Sequence, residues 1–258
     1  MGLGTSRAEG EDCAAAVRSA LDCGYRHVDT AQMYGNEAAV GRGLRESGVD
    51  REEVVLATKV HPSNLGREDV LATTEASLDC LGVDAVDLLY VHWPTEAYDP
   101  EETLPAFDEL RDRGLTRNVG VSNFTPDLLD EARHVLDAPV VAHQVECHPL
   151  FPQRELREYA ERHGHTLVGY SPLGRGRTLD HPVVERVAAE VDATPAQVCL
   201  AWAMARGVVP IPKGTGDHVA ENYRATDVEL GEAALDALDG VDDRTRVIDR
   251  DDAAWNRD

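Results

Sequence analysis

Lysine is nearly absent from this 258-residue sequence: of its 25 basic residues, only Lys59 and Lys213 are lysines. Basic charge is scarce as well, with 48 acidic residues and a net charge of −23. Such a chain repels nucleic acid and anionic membrane surfaces, which excludes both as expected partners. The five cysteines (Cys13, Cys23, Cys80, Cys147, Cys199) are odd in number and form no CxxC pair. That excludes a disulfide framework or zinc knuckle and predicts buried free thiols. No apolar run approaches the roughly 18 residues of a membrane helix, and MGLGTSRAEGEDC has no basic segment leading into an apolar one, so a soluble, cytoplasmic protein is expected. With aromatics at 5% and three Phe, the acid excess looks like adaptation to a salt-rich cytoplasm. There, screening with a Debye length of about 3 Å at 1 M makes self-repulsion tolerable.

Two motifs are also missing. Without G-x-G-x-x-G, an open doubly wound sheet binding a dinucleotide is disfavoured. Without HExxH, and with "HGH" (163 to 165) and "ECH" (146 to 148) too sparse to form a ligand set, no metal is expected.

What is present is a regular alternation. Strands are predicted at Gly2 to Gly4, Arg26 to Asp29, Val54 to Lys59, Val86 to His92, Arg117 to Ser122, Val140 to Gln144, Thr166 to Tyr170 and Val208 to Lys213. Helical spacing separates them: Val70, Thr74, Leu78 and Leu81 recur every three or four residues, as do Leu104, Phe107 and Leu110. Thr194-Pro195-Ala196-Gln197 reads as a capping box opening another helix. Strands separated by helices pair in parallel, and eight of them in about 250 residues predict a (β/α)8 TIM barrel, a single α/β domain over 1–258. The tail 241–258 is charged enough to be expected poorly ordered.

Barrel chemistry collects at the C-terminal ends of strands. Asp29, Lys59 and His92 end the second, third and fourth predicted strands, and Tyr34 lies in the loop after the second. Each has an ordinary structural explanation alone: a turn cap, a solvated amine, a core histidine, a packing ring. Together they suggest a proton donor. An ammonium about 4 Å from a phenol contributes roughly 4 kcal/mol at an effective dielectric of 20, enough to bring it towards working range. Asp29 on the adjacent strand is the anion to hold that ammonium. A chain that uses Arg elsewhere retains Lys where a compact charge on a flexible stem is required.

The segments "DTAQMYGNE" (29 to 37), "ATKV" (57 to 60), "YVHWP" (90 to 94), "GVSNF" (120 to 124), "HQVECHP" (143 to 149), "GYSPLGRG" (169 to 176) and "IPKG" with "AEN" (211 to 214, 220 to 222) occur in the order in which the aldo-keto reductase superfamily carries them. The sequence resembles its prokaryotic short-loop members, which reduce small dicarbonyls and keto-sugar acids. The resemblance implies hydride transfer from NAD(P)H to a carbonyl. Tyr34 is then the general acid, Lys59 lowers its pKa, Asp29 pairs with Lys59, and His92 orients the substrate. It implies that Ser122, Asn123 and Gln144 hold the carboxamide and Tyr170 stacks on nicotinamide. Ser171, Leu173 and Gly174 would meet the pyrophosphate, and Lys213 a phosphate near the adenosine end. Glu221 and Asn222 would contact adenine.

Departures from the family pattern matter. Residue 1 falls almost on the first strand, so the hairpin that closes the barrel bottom in relatives is expected to be missing or short. Ser6 stands where relatives carry an aromatic, leaving Trp93 as the expected pocket wall, and His143 stands where they often carry Asn. Gly214 follows Lys213, Thr215 is positioned to replace a lost hydroxyl, and His218 occupies an Arg position. The expectation is NADP(H) preferred modestly, with NAD(H) usable. A small-molecule carbonyl substrate and a monomer are expected, the alternative being a cofactor-binding redox sensor with little turnover.

Overall fold

The computed structural model describes residues 1–242 and 244–256. Eight strands pair in chain order, each parallel to the next: β1 (Leu3–Gly4), β2 (His27–Asp29), β3 (Val55–Val60), β4 (Leu88–Val91), β5 (Val119–Ser122), β6 (Val140–Glu146), β7 (Thr166–Tyr170) and β8 (Val208–Pro210). The sheet closes on itself. Gly2 N donates to Pro210 O and Gly4 N to Pro212 O, both at 3.0 Å, and Gly4 bridges to Lys213. A Cβ on Gly4 would lie 2.7 Å from the Ile211 carbonyl oxygen, so this seam requires glycine. The chain therefore folds as a single-domain (β/α)8 barrel.

Helices α1 (Gly10–Cys23), α2 (Glu37–Ser47), α3 (Arg67–Leu81), α4 (Pro100–Asp112), α5 (Pro126–Val135) and α6 (Arg154–His163) connect successive strands. Between β7 and β8 run α7 (Pro182–Glu190) and α8 (Pro195–Ala205), and α9 (Asp217–Tyr223) and α10 (Glu232–Asp239) follow β8. The predicted stripe Val70, Thr74, Leu78, Leu81 is buried on α3, as is Leu104, Phe107, Leu110 on α4. Each fully buried Leu or Phe contributes about 1.5–3 kcal/mol. At α8 both halves of the capping box form: Gln197 N donates to Thr194 Oγ1 at 3.2 Å and Thr194 N to Gln197 Oε1 at 3.0 Å.

Strand periodicity explains where the polar groups go. Ala57, Leu88, Tyr90, Ala142, Val168 and Ile211 pack into a small cluster separate from the main core. Two residues further on come Lys59, Gln144 and Tyr170 on the same strands and His92 just past the end of β4, which share the inward face by the period of two. The interior is thus apolar below and polar at the C-terminal rim. Gly120 gives Tyr90 its room: a Cβ there would sit 2.6 Å from the ring.

Only β7 keeps the expected boundaries; β1, β2 and β3 shift by one residue, β5 starts two residues late, and the larger differences fall at β4, β6 and β8. β4 starts two residues late because Val86 makes only an isolated bridge to Thr116. β6 runs on to Glu146, and β8 stops at Pro210 because its continuation pairs with β1 as a single bridge. Cys13, Cys147 and Cys199 are buried as expected, while Cys80 is exposed. The tail departs most. Instead of detaching, 244–256 lies on the barrel top with Ala253 fully buried, because its arginines find aromatic faces: Arg246 stands 3.8 Å from the Trp255 ring centroid and 4.5 Å from that of Phe151. Asp243, Arg257 and Asp258 of that segment lie outside the described residues.

Candidate active site

Asp29 and Lys59 meet inside the rim, with 2.5 Å between Lys59 Nζ and Asp29 Oδ1 and exposures of 0% and 1% for the lysine and aspartate side chains. Lys59 Nζ also donates to Thr30 O at 2.8 Å, and Gln144 Nε2 donates to Asp29 Oδ2 at 2.8 Å. Burial alone depresses the pKa of Lys59, but Asp29 and Tyr34 outweigh it and the net shift is upward, so the ammonium stays charged.

Tyr34 ends a single 3-10 turn, Gln32–Tyr34, closed by Gly35 at φ 63. Side chains bolt that turn in place. Gln32 Oε1 accepts His61 N at 2.9 Å, Thr30 Oγ1 donates to Asn36 Oδ1 at 2.8 Å, and Asn36 Nδ2 donates to Thr5 O at 2.8 Å. Lys59 Nζ lies 5.2 Å from the Tyr34 ring centroid, and the Lys59 and Ser6 side chains both reach the phenol and favour its ionisation. Even so the pKa of Tyr34 is raised, because burial outweighs Lys59 and Asp29 pushes the same way. Lys59 acts in the expected direction, but the expected net lowering does not follow: burial, with Asp29 adding to it, outweighs the ammonium, and Tyr34 rests as the protonated phenol.

His92 crosses Tyr34 edge to face at 5.8 Å between centroids. Burial first, then Lys59, His61 and Arg250, hold its pKa well below the usual imidazole value, so it is neutral. Around it, Asn123 Nδ2 donates to His92 O and to Ser122 Oγ, each at 3.0 Å, and Tyr170 Oη donates to Asn123 Oδ1 at 2.8 Å. Asn123 and Ser171 hold φ of 65 and 47, a left-handed conformation that non-glycine residues adopt at a cost and that concentrates at ligand sites.

These groups line a cavity of about 520 Å³, with Trp93, Met33 and Ile248 as apolar walls. A second, about 660 Å³, contains Thr215, His218, Glu221 and Asn222, and the two share Ser6, Arg7, Leu173 and Lys213. The result is one trough from Tyr34 to α9. At its middle Lys213 has a lowered pKa, from burial and then from Arg7 and Arg175. Three cations gathered in so acidic a chain fit an anionic ligand such as a dinucleotide's phosphates. The geometry therefore brings all four predicted catalytic residues together and puts the predicted cofactor contacts in one continuous groove, except Gly174, which is buried and lines neither cavity.

Known proteins resemble this chain over most of its length. The Aldo/keto reductase family matches residues 1–243. This chain belongs to it. An aldo-keto reductase of Mycobacterium sp. (strain KMS) is 41% identical over 256 residues, spanning 96% of this chain and 90% of its own. The methylglyoxal reductase DkgB of Salmonella typhimurium is 39% identical over 251 residues, spanning 96% and 94%. The crystal structure of a Bombyx mori aldo-keto reductase in complex with NADP superposes with a TM-score of 0.91 at 30% identity, covering 98% of this chain and 92% of that one. The protein is an NAD(P)H-dependent oxidoreductase that reduces carbonyl groups.

In this aldo/keto reductase three further residues that the sequence reading did not single out line the cavity. Arg7 and Arg175, at φ of 69 and 53, line the same cavity as Lys213 from separate loops. Ile248 arrives from the tail. His143 proves to be a core residue: its Nε2 accepts Phe124 N at 3.3 Å, and burial pushes its pKa down to about 3. Among the described residues no three His, Cys, Asp or Glu side chains converge as a metal site, and no helix is long and apolar enough to cross a membrane.

Proposed function

We propose that this enzyme reduces small aldehydes, ketones and dicarbonyls, with Tyr34 as proton donor, Lys59 and Asp29 controlling the charge beside it, and His92 orienting the carbonyl oxygen. The observation that carries this reading is the closed chain of contacts from Asp29 through Lys59 to the Tyr34 phenol, opening into the same cavity as His92. A nicotinamide cofactor supplies the hydride when bound. Tyr34, resting protonated, has its proton available, and the Lys59 ammonium stabilises the phenolate left behind. His92, being neutral, donates one N–H without competing for the proton. Trp93, Met33 and Ile248 exclude water from the carbonyl.

Ser122, Asn123 and Gln144 would hold the carboxamide and Tyr170 the ring. Ser171, Leu173, Arg7 and Arg175 would hold the pyrophosphate. Lys213, Thr215, His218, Glu221 and Asn222 would hold the adenosine end, where the Lys213 charge favours NADPH modestly over NADH. Val55 and Met33, 45% and 39% exposed, are the exposed large hydrophobics among the described residues, which supports a monomer in solution. Steady-state turnover of NADPH with methylglyoxal, simple aldehydes and keto-sugar acids tests the reading. Tight NADPH binding with turnover no faster than in Tyr34→Phe would overturn it.

A further inference from the structure

One buried carboxylate at the rim has no part in this chemistry. Glu146 ends β6, its side chain entirely buried. Its Oε1 accepts the Val247 N–H at 2.6 Å and its Oε2 the Ile248 N–H at 2.7 Å, while His148 Nε2 lies 2.9 Å from Oε1. The surroundings brace the same junction: Gln153 Nε2 donates to the Glu146 carbonyl at 2.8 Å, and Thr245 N donates to Leu150 O at 3.0 Å. Two successive N–H groups on the two oxygens of one carboxylate fix the position and the direction of the tail. Charge-assisted bonds of this kind are roughly twice as strong as neutral ones.

What the clamp fixes is the pocket. Ile248 enters the cavity wall directly from the clamped N–H. Two residues on, Arg250 lies 5.2 Å from the Trp93 ring centroid, and Trp255 packs on Trp93 at 5.6 Å between centroids. The wall is thus built from Trp93, just beyond β4, on one side and the tail on the other, and Glu146 ties the tail to the barrel.

We infer that Glu146 is a positioning residue that sets substrate size selectivity, by pinning Val247 and Ile248 so that the tail forms a fixed wall of the carbonyl pocket. This rests on the carbonyl-reductase reading of the cavity. The role needs a carboxylate and not merely a side chain of that volume. An amide offers one acceptor oxygen and turns an NH2 group towards the second N–H, leaving a buried donor facing a donor.

The experiment compares wild type, Glu146→Gln, Glu146→Asp and Ile248→Ala. Kinetics are measured with carbonyls of increasing length, NADPH affinity by fluorescence, and exchange of the Val247 and Ile248 amides by hydrogen–deuterium exchange. In Glu146→Gln the two amides exchange faster, and KM for the smallest carbonyl rises about tenfold, the size expected for one lost charge-assisted bond. Long substrates are affected less, so size discrimination flattens. Ile248→Ala reproduces the KM pattern, the double variant is less than additive, and Glu146→Asp restores part of the wild-type behaviour. Protected amides in Glu146→Gln would overturn the inference. So would an unchanged KM series, or an equal loss of kcat and NADPH affinity with every substrate, which marks general destabilisation. Should wild type reduce no carbonyl at all, the reading of the cavity fails, while amide exchange still judges the clamp.

Discussion

Lys59 and Asp29 form an ion pair sealed from solvent, their charged atoms 2.5 Å apart. Breaking such a pair by removing one partner leaves an uncompensated buried charge and costs about 3–5 kcal/mol. Lys59→Met is therefore expected to lose stability as well as turnover, which should fall at least about 100-fold, the lower range for a general acid's contribution. Adding Asp29→Asn should restore the melting temperature without restoring turnover. NADPH affinity, measured by fluorescence titration, should survive in both, and wild-type-like turnover in either would refute the assignment.

The raised pKa of Tyr34 predicts where the phenol titrates. In the cofactor-free enzyme the tyrosinate absorbance lost in Tyr34→Phe should belong to a step above the ordinary phenol value of about 10. Difference titration of the two proteins checks this. A step near neutrality would show that Lys59 dominates burial after all.

Burial holds His27 and His165 at a pKa of about 4 and His143 at about 3, all below the usual imidazole value. Depressed folded values mean that their contribution to stability is complete above about pH 6.5 and is lost as the unfolded state takes up protons the native state refuses. Between about pH 5.5 and 5 these three should steepen the fall in unfolding free energy by about 4 kcal/mol per pH unit, from about 1.4 per proton. His143→Asn, whose amide oxygen can still accept the Phe124 N–H, should reduce that slope by about one proton. Denaturant unfolding across the pH range measures it, and an unaltered slope would show that His143 protonates in the folded state.

His218 Nδ1 lies 3.1 Å from Glu221 Oε2, so two residues expected at the adenosine end are each other's partners. His218→Arg should widen the NADPH to NADH ratio of kcat/KM by about five- to tenfold, as for one added charged hydrogen bond at an exposed site. Glu221 will hold part of the new charge, so adding Glu221→Gln should widen it further. A ratio unmoved by either substitution would show that this helix does not read the 2′-phosphate.

The eight strands and the catalytic rim were legible because strand period is local: Lys59 is two residues beyond Ala57, so whatever faces the interior at one also does at the other. His92 was legible as the end of its predicted strand, whereas Gln144 came only through the family resemblance, although it too stands two residues beyond an inward alanine, Ala142. Arg7 and Arg175 were not legible, since three loops must close before either lines a cavity with Lys213. Nor was the order of the tail, because composition counts the charges of Arg246 and Arg250 but not the aromatic faces they meet. The direction of the Tyr34 shift escaped for a related reason. Motif spacing supplies Lys59 as a neighbour, whereas the burial that outweighs it is a property of the closed cavity.

With Lys59 fully enclosed and Lys213 exposed in the trough, the molecule presents one ε-amine to solvent. An amine-directed reagent will accordingly find a single lysine target, and that target lies in the groove assigned to the dinucleotide. Acylation at Lys213 becomes a footprint of occupancy, slowed by whatever fills the groove, and a fluorophore attached there would read the groove from within without any engineered cysteine.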